Sequence, residues 1–353
     1  MGIFCIFAIM RTKRIESLDV LRGLTVALMI LVNNPGSWAA CFPILRHADW
    51  NGFLLADFVF PSFLSVMGIS MYISFSKNGF TLSWKVLRRT LLLLGIGLLC
   101  NWIGQVVWGG GWGLGSLRFT GVLQRFALCY GITALLVCKL PHKTLPWIAG
   151  GLLVLYGALL LFLDGYVHGP DNFLARWDSA LLGKHLYGFD MPDPEGLVST
   201  IPAVAHTLLG FIVGRLLVKG DEGRIALTGA ALVLAGIGLS FLLPVNKKIW
   251  SPSFVLLTLG ITSLLLALFF LLIDRRHAWK HNGFWKVFGS NAILAYILGD
   301  VVAWTFDGTG FHVWCRDLIG SSGFLSLVYS VGCVLLVWLV VWPLYKKHIY
   351  IKL

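Results

Sequence analysis

Ten apolar runs, each about the length a helix needs to cross a bilayer, recur along the chain and leave little room for anything but a membrane bundle. They cover Leu18–Val32, Ala56–Phe75, Leu87–Trp108, Val122–Cys138 and Pro146–Leu163 in the first half. Val198–Leu217, Ile225–Leu243, Ser253–Ile273, Val287–Trp304 and Phe324–Tyr345 follow in the second. Helices satisfy their own backbone in lipid, and the polar-apolar alternation of a membrane barrel is absent. Composition agrees, since only 12% of the residues are charged and 58% are hydrophobic. A soluble domain carries about 25% charged residues. The expected fold is therefore an all-α polytopic integral membrane protein of about ten transmembrane helices.

Charge sets the expected orientation. With the amino terminus cytoplasmic, 19 basic residues fall in cytoplasmic segments and 7 outside, with Arg22 and Arg125 inside helices. Basic residues concentrate on the cytoplasmic side, so both termini are expected there. The net charge of +12 follows from those loops and does not call for nucleic acid. The opening MGIFCIFAIM places its apolar run before the basic cluster, the reverse of a signal peptide, and is too short to span. Residues 1–13 are read as an N-terminal cytoplasmic tail and 14–353 as a single transmembrane domain. The seven cysteines form no CxxC pair, so neither a metal site nor a redox motif is expected. Cys41 and Cys315 both fall in outer loops, which leaves a disulfide between them open.

The longest loops, Asn34–Leu55, Asp164–Leu197 and Thr305–Gly323, lie on the outer face in this reading. The first carries the most informative constellation. Asn33 ends the first helix, His47 lies in the loop and Asp57 opens the second helix, so antiparallel helices can bring an amide, an imidazole and a carboxylate to one depth. The bland reading makes Asn33 a C-cap, Asp57 an N-terminal dipole partner and His47 a solvated residue. Polar groups within spans include Asp19, Arg22, Asn101, Gln105, Gln124, Arg125, His206, Asn291 and Asp300. Such groups are costly in lipid and face a cavity or a partner, although interhelical hydrogen bonds explain any one of them. No phosphate-cradling glycine loop and no HExxH helix are present.

Several stretches resemble one known family in order along nearly the whole chain: RIESLDVLRG (14–23), LMILVN (28–33), LRHADWNGFLLADFVFP (45–61), GVLQR (121–125), DPEGLVST (193–200), NKKIWS (246–251) and GSNAI (289–293). These are similar to the transmembrane acyltransferases related to heparan-α-glucosaminide N-acetyltransferase. The resemblance implies acetyl transfer from acetyl-CoA to the amine of a glucosamine-type sugar. It assigns catalysis to His47, with Asn33 and Asp57 beside it. Candidate acetyl-CoA contacts are Arg22, Gln124, Arg125 and Asn291, and candidate acceptor contacts are Trp50, Asn51, Glu195, Lys248 and Trp250. Arg88 and Arg89 are further cytoplasm-side candidates for the nucleotide phosphates.

Only about a dozen residues precede the RIESLDVLRG stretch, where lysosomal members carry a sizeable soluble domain. A free or small amino sugar, or a cell-envelope glycan, is thus the expected acceptor. The expected setting is a bacterial inner membrane, with the acceptor site towards the periplasm. Acetyl-CoA, an amino-sugar acceptor and the bilayer are the expected partners, and a homodimer is a further option. The competing classes are a sugar or amino-sugar transporter without chemistry and an O-acyltransferase acting on a glycan or lipid.

Overall fold

A computed structural model describes residues 15–188 and 191–351. The expected tail at 1–13, with Arg14 and Asp190, lies outside the described residues. Thirteen α-helices and no strands make up the described chain. They are α1 (Glu16–Asn33), α2 (Leu55–Lys77), α3 (Trp84–Val107), α4 (Val122–Lys139), α5 (Leu145–Phe162), α6 (Phe173–Leu182) and α7 (Thr200–Val218). Then come α8 (Glu222–Ser240), α9 (Pro252–Phe269, lengthened by a π turn to Arg275), α10 (Gly283–Ser290), α11 (Ala292–Gly308), α12 (Phe311–Ile319) and α13 (Gly323–Lys346).

Eight of these helices are long and apolar enough to cross a membrane, and α10 with α11 makes a ninth as a broken span. Helix α1 supplies the tenth run. It is 18 residues long and carries Glu16, Asp19 and Arg22 in its first half. Those charges are held within the protein: Arg22 bonds Asp19, the Gly289 carbonyl and the Ser70 hydroxyl. The chain is thus a multi-pass membrane protein.

Helix α2 lies at the centre, with 78% of its apolar window buried, whereas α3 and α8 are 17% buried and face lipid. Close approach is achieved by removing side chains. A Cβ on Gly68 of α2 would stand 2.2 Å from the Thr207 carbonyl oxygen of α7, and one on Gly23 of α1 would stand 1.8 Å from that of Trp285 in α10. Lipid tails are as apolar as leucine, so association rests on such packing rather than on a hydrophobic drive.

Two features depart from the sequence expectation. The run Val287–Trp304 is not one straight helix, because α10 and α11 meet at 89°. Asn291 sits at the break and gives its side chain to another segment, donating to the Ile349 carbonyl and accepting from the Ile351 amide. The outer loops also contain helices of their own, α6 and α12, which cannot span at 10 and 9 residues. The described cysteines are free thiols, so no Cys41–Cys315 bridge forms.

Both ends of the described chain lie on one face. Glu16 pairs with Lys286 of α10 at 2.9 Å, and Asn291 holds the carboxy-terminal segment beside it. The end of α1 and the start of α2 lie on the opposite face, where a cavity opens.

Candidate active site

The last turn of α1 contains two asparagines with separate tasks. Asn34 is the C-cap, and its side-chain amide donates to the Ile30 carbonyl at 2.8 Å. Asn33, relieved of that duty, faces the cavity. The chain then loops through Arg46, which ties the loop to itself through the Ala39 and Cys41 carbonyls, and returns to α2.

Asp57 does two things at once. Its Oδ2 accepts from the backbone amides of Leu54 and Ala48 at 3.0 and 3.1 Å, completing the first turn of α2. Its Oδ1 lies 2.8 Å from Nδ1 of His47. A carboxylate only accepts, so the proton belongs to Nδ1 and the neutral imidazole presents a lone pair at Nε2. Asp57 is 1% exposed and His47 about half-exposed, so a buried carboxylate aims an accessible imidazole.

Lys247 completes the pair. Its Nζ is 3.1 Å from Nε2 and 3.2 Å from Nδ1 of His47. Near-equal distances to both ring nitrogens place it over the ring face, since an in-plane position would collide with the carbon between them. The in-plane lone pair of Nε2 is left free. Burial lowers the Lys247 ammonium from its ordinary value, against the opposing pull of Glu195 and Asp57.

The lysine is placed by a tight turn between α8 and α9. Asn246 accepts from the Ile249 amide and Ser251 returns to the Asn246 carbonyl, while Trp250 adopts a left-handed backbone at φ +53° with its ring fully buried. Trp50 and Asn51 brace this turn: Asn51 bonds the Asn246 amide, and the Trp50 indole donates to Tyr166, whose hydroxyl in turn bonds Pro244.

Glu195 reaches the cavity from the loop before α7. Arg118 forks between Asp193 at 2.6 Å and Glu195 at 2.7 Å, and Asp193 also accepts from the Thr120 hydroxyl and the Tyr187 amide. Burial alone would raise the Asp193 carboxyl, but Arg118 and Thr120 outweigh it and hold it below the carboxylate range.

The cavity has a volume of about 120 Å³. Asn33, His47, Glu195 and Lys247 form its polar side, and Met29, Val32, Ala56, Val59, Phe60 and Val122 its apolar side. A narrower second cavity shares Met29 and Asn33 with it and reaches Tyr296, Gly299 and Asp300 of α11. Among the described residues no group of three His, Cys, Asp or Glu side chains is arranged to hold a metal.

The structure therefore brings together Asn33, His47, Asp57 and Glu195, and adds Lys247, which the sequence did not single out. Lys248 lies beside it but does not line the cavity. Trp250 and Arg125 sit beneath the site, with the guanidinium 5.0 Å over the indole, bonded to the Gly196 carbonyl and the Ser199 hydroxyl. Gln124 is buried between α3 and α4 against Gly97. Arg22 is eleven residues before Asn33, about 16 Å along the helix, and with Asn291 belongs to the other face. These four do not form one cluster. Arg88 is exposed, and Arg89 stacks on Tyr130 at 4.6 Å.

The site is thus a buried carboxylate paired with an accessible imidazole at the mouth of a small two-sided cavity in a multi-pass membrane bundle. Residues 14–243 match the family model described as heparan-alpha-glucosaminide N-acetyltransferase, catalytic, and the chain belongs to that family. The human heparan-alpha-glucosaminide N-acetyltransferase is 26% identical over 96% of this chain, and the mouse protein of the same name 27% over 97%. The chain spans about 60% of the length of these relatives.

Proposed function

We propose that this chain is a membrane-embedded acyltransferase that moves an acetyl group from acetyl-CoA to the amine of a glucosamine-type sugar. The observation that carries the reading is the Asp57–His47 pair, which borders a cavity that also presents Glu195, Lys247 and Asn33. Family membership and the relatives' shared name support the same reaction class.

His47 is the general base. As the acceptor nitrogen attacks the thioester carbon, Nε2 takes the nitrogen's proton and then returns it to the departing sulfur, so the products are an amide and a free thiol. Histidine suits this step because its ordinary pKa lies near neutrality. Asn33 donates a hydrogen bond to the developing oxyanion, Asp57 fixes the ring tautomer, and Glu195 holds the acceptor's ammonium until it releases its first proton to solvent and becomes the neutral nucleophile. Lys247 supplies positive charge where the oxyanion and thiolate develop. Transfer is direct, within a ternary complex.

The described chain ends define the cytoplasmic face in this reading, so the acceptor approaches from the far side, the periplasm in a bacterial inner membrane. Acetyl-CoA enters from the cytoplasm, its slender pantetheine arm reaching the site between helices. The test is purified protein with labelled acetyl-CoA and either glucosamine or a sugar that offers hydroxyls only. Acetylated glucosamine is expected. Product from the hydroxyl sugar alone would make it an O-acyltransferase, and no product with any acceptor would favour a transporter.

A further inference from the structure

We infer that Phe60 and Met29 set the acyl-chain length that this site accepts, and that they restrict it to acetyl. The inference rests on the acyltransferase reading and concerns its donor specificity. An engineered protein cavity of about 150 Å³ holds benzene, which is about 25 Å³ per heavy atom. The cavity of about 120 Å³ therefore holds about five. Five is the number the reacting centre needs: two carbons and an oxygen of an acetyl group, the thioester sulfur and the attacking nitrogen. Sugar and pantetheine extend outward; the acyl methyl cannot.

The two-sided lining fixes where that methyl goes. Nitrogen, oxyanion and sulfur all carry charge during transfer and belong with Asn33, His47, Glu195 and Lys247. The methyl then points at the apolar side, built from Met29 and Val32 of α1 and Ala56, Val59 and Phe60 of α2. That wall has no slack. Met29, Val32, Ala56 and Val59 are 2–4% exposed and form one packed cluster. Phe60, at 4% exposed, is backed by rings edge-on, with Phe126 at 5.4 Å and Trp250 at 5.1 Å between centroids. Packing at this density does not yield to an added methylene without displaced side chains. The arriving chain would have to move a ring that is itself wedged between two others.

The experiment measures kcat/KM of the full-length protein with acetyl-, propionyl- and butyryl-CoA and glucosamine as acceptor, for wild type, Phe60→Ala and Met29→Ala. One methylene in a close-fitting pocket changes kcat/KM about 10–200-fold. Wild type is thus expected to prefer acetyl over butyryl by at least about 100-fold, and each variant to shift the butyryl-to-acetyl ratio upward by at least about tenfold. Phe60→Leu is the milder replacement should Phe60→Ala not accumulate. The inference is overturned if wild type uses butyryl-CoA as well as acetyl-CoA, or if active variants at both positions keep the wild-type ratio. Absence of transfer from every donor by wild type, in protein that still unfolds cooperatively, overturns the acyltransferase reading itself.

Discussion

His47 is positioned by a carboxylate that two backbone amides hold on one side and by a lysine from a tight turn on the other. Its replacement by alanine removes a half-exposed side chain, so the protein is expected to keep its thermal unfolding midpoint while transfer falls by about 10²–10⁴-fold, the range for general-base catalysis. Full activity in H47A would refute the role. Glu195 has a different signature. In the proposed mechanism its charge acts on the acceptor, so E195Q is expected to raise the KM for glucosamine about tenfold or more and leave the KM for acetyl-CoA unchanged, as suits loss of one charge-assisted hydrogen bond. Equal rises in both constants would make Glu195 structural. The first three site residues are legible in the sequence because they flank one loop, and helix geometry brings the flanks together. Lys247 is not, since adjacent lysines in a loop have no period to distinguish them, and only the Asn246–Ser251 turn turns one of them towards His47.

At the scale of elements, the loop that delivers Glu195 hangs on α6. Asp178 of that helix is fully buried and accepts from the Leu197 and Val198 amides just before α7. Burial raises its carboxyl to about 6 from an ordinary 3.8, with the two amides pulling the other way. A pKa higher in the folded state means that the folded protein binds the extra proton, so stability falls as pH rises from about 4 through about 6. Wild type is expected to lose up to about 3 kcal/mol relative to D178N between about pH 4 and pH 7.5, the equivalent of that gap. Parallel unfolding curves for the two proteins across this range would exclude the effect. A second element, the α2–α7 contact, tolerates no side chain: Gly68→Leu is expected to abolish folded protein, scored by the yield of monodisperse material in detergent, because the Cβ alone meets the Thr207 carbonyl at 2.2 Å. Hydropathy found the ten apolar segments but not the turn of 89° within one of them, since apolar character has no direction and the break depends on where Asn291 sends its hydrogen bonds. Helices α6 and α12 escaped for a related reason: each is amphipathic and lies among polar loop residues, so its apolar face does not stand out as a run.

For the whole molecule, an even number of crossings returns the chain to the face it left, which agrees with the meeting of Glu16, Lys286 and the Ile349–Ile351 segment. Reporters fused to either end are expected to read out cytoplasmic; opposite readings would remove one span from the count. The basic-residue bias carries that orientation, as it concerns whole loops and no single contact. What packing adds, and charge counting cannot, is depth: Arg22 and Arg125 are both arginines within helices, yet one serves the α1–α10 contact and the other underlies the cavity. The double use of Asp57 has a consequence for how such a molecule is made. The same carboxylate closes the opening turn of α2 and steers the imidazole, so winding that helix and arming the base are a single event. Under the proposed reaction, a bundle whose α2 is not yet wound at this end would hold no aimed histidine.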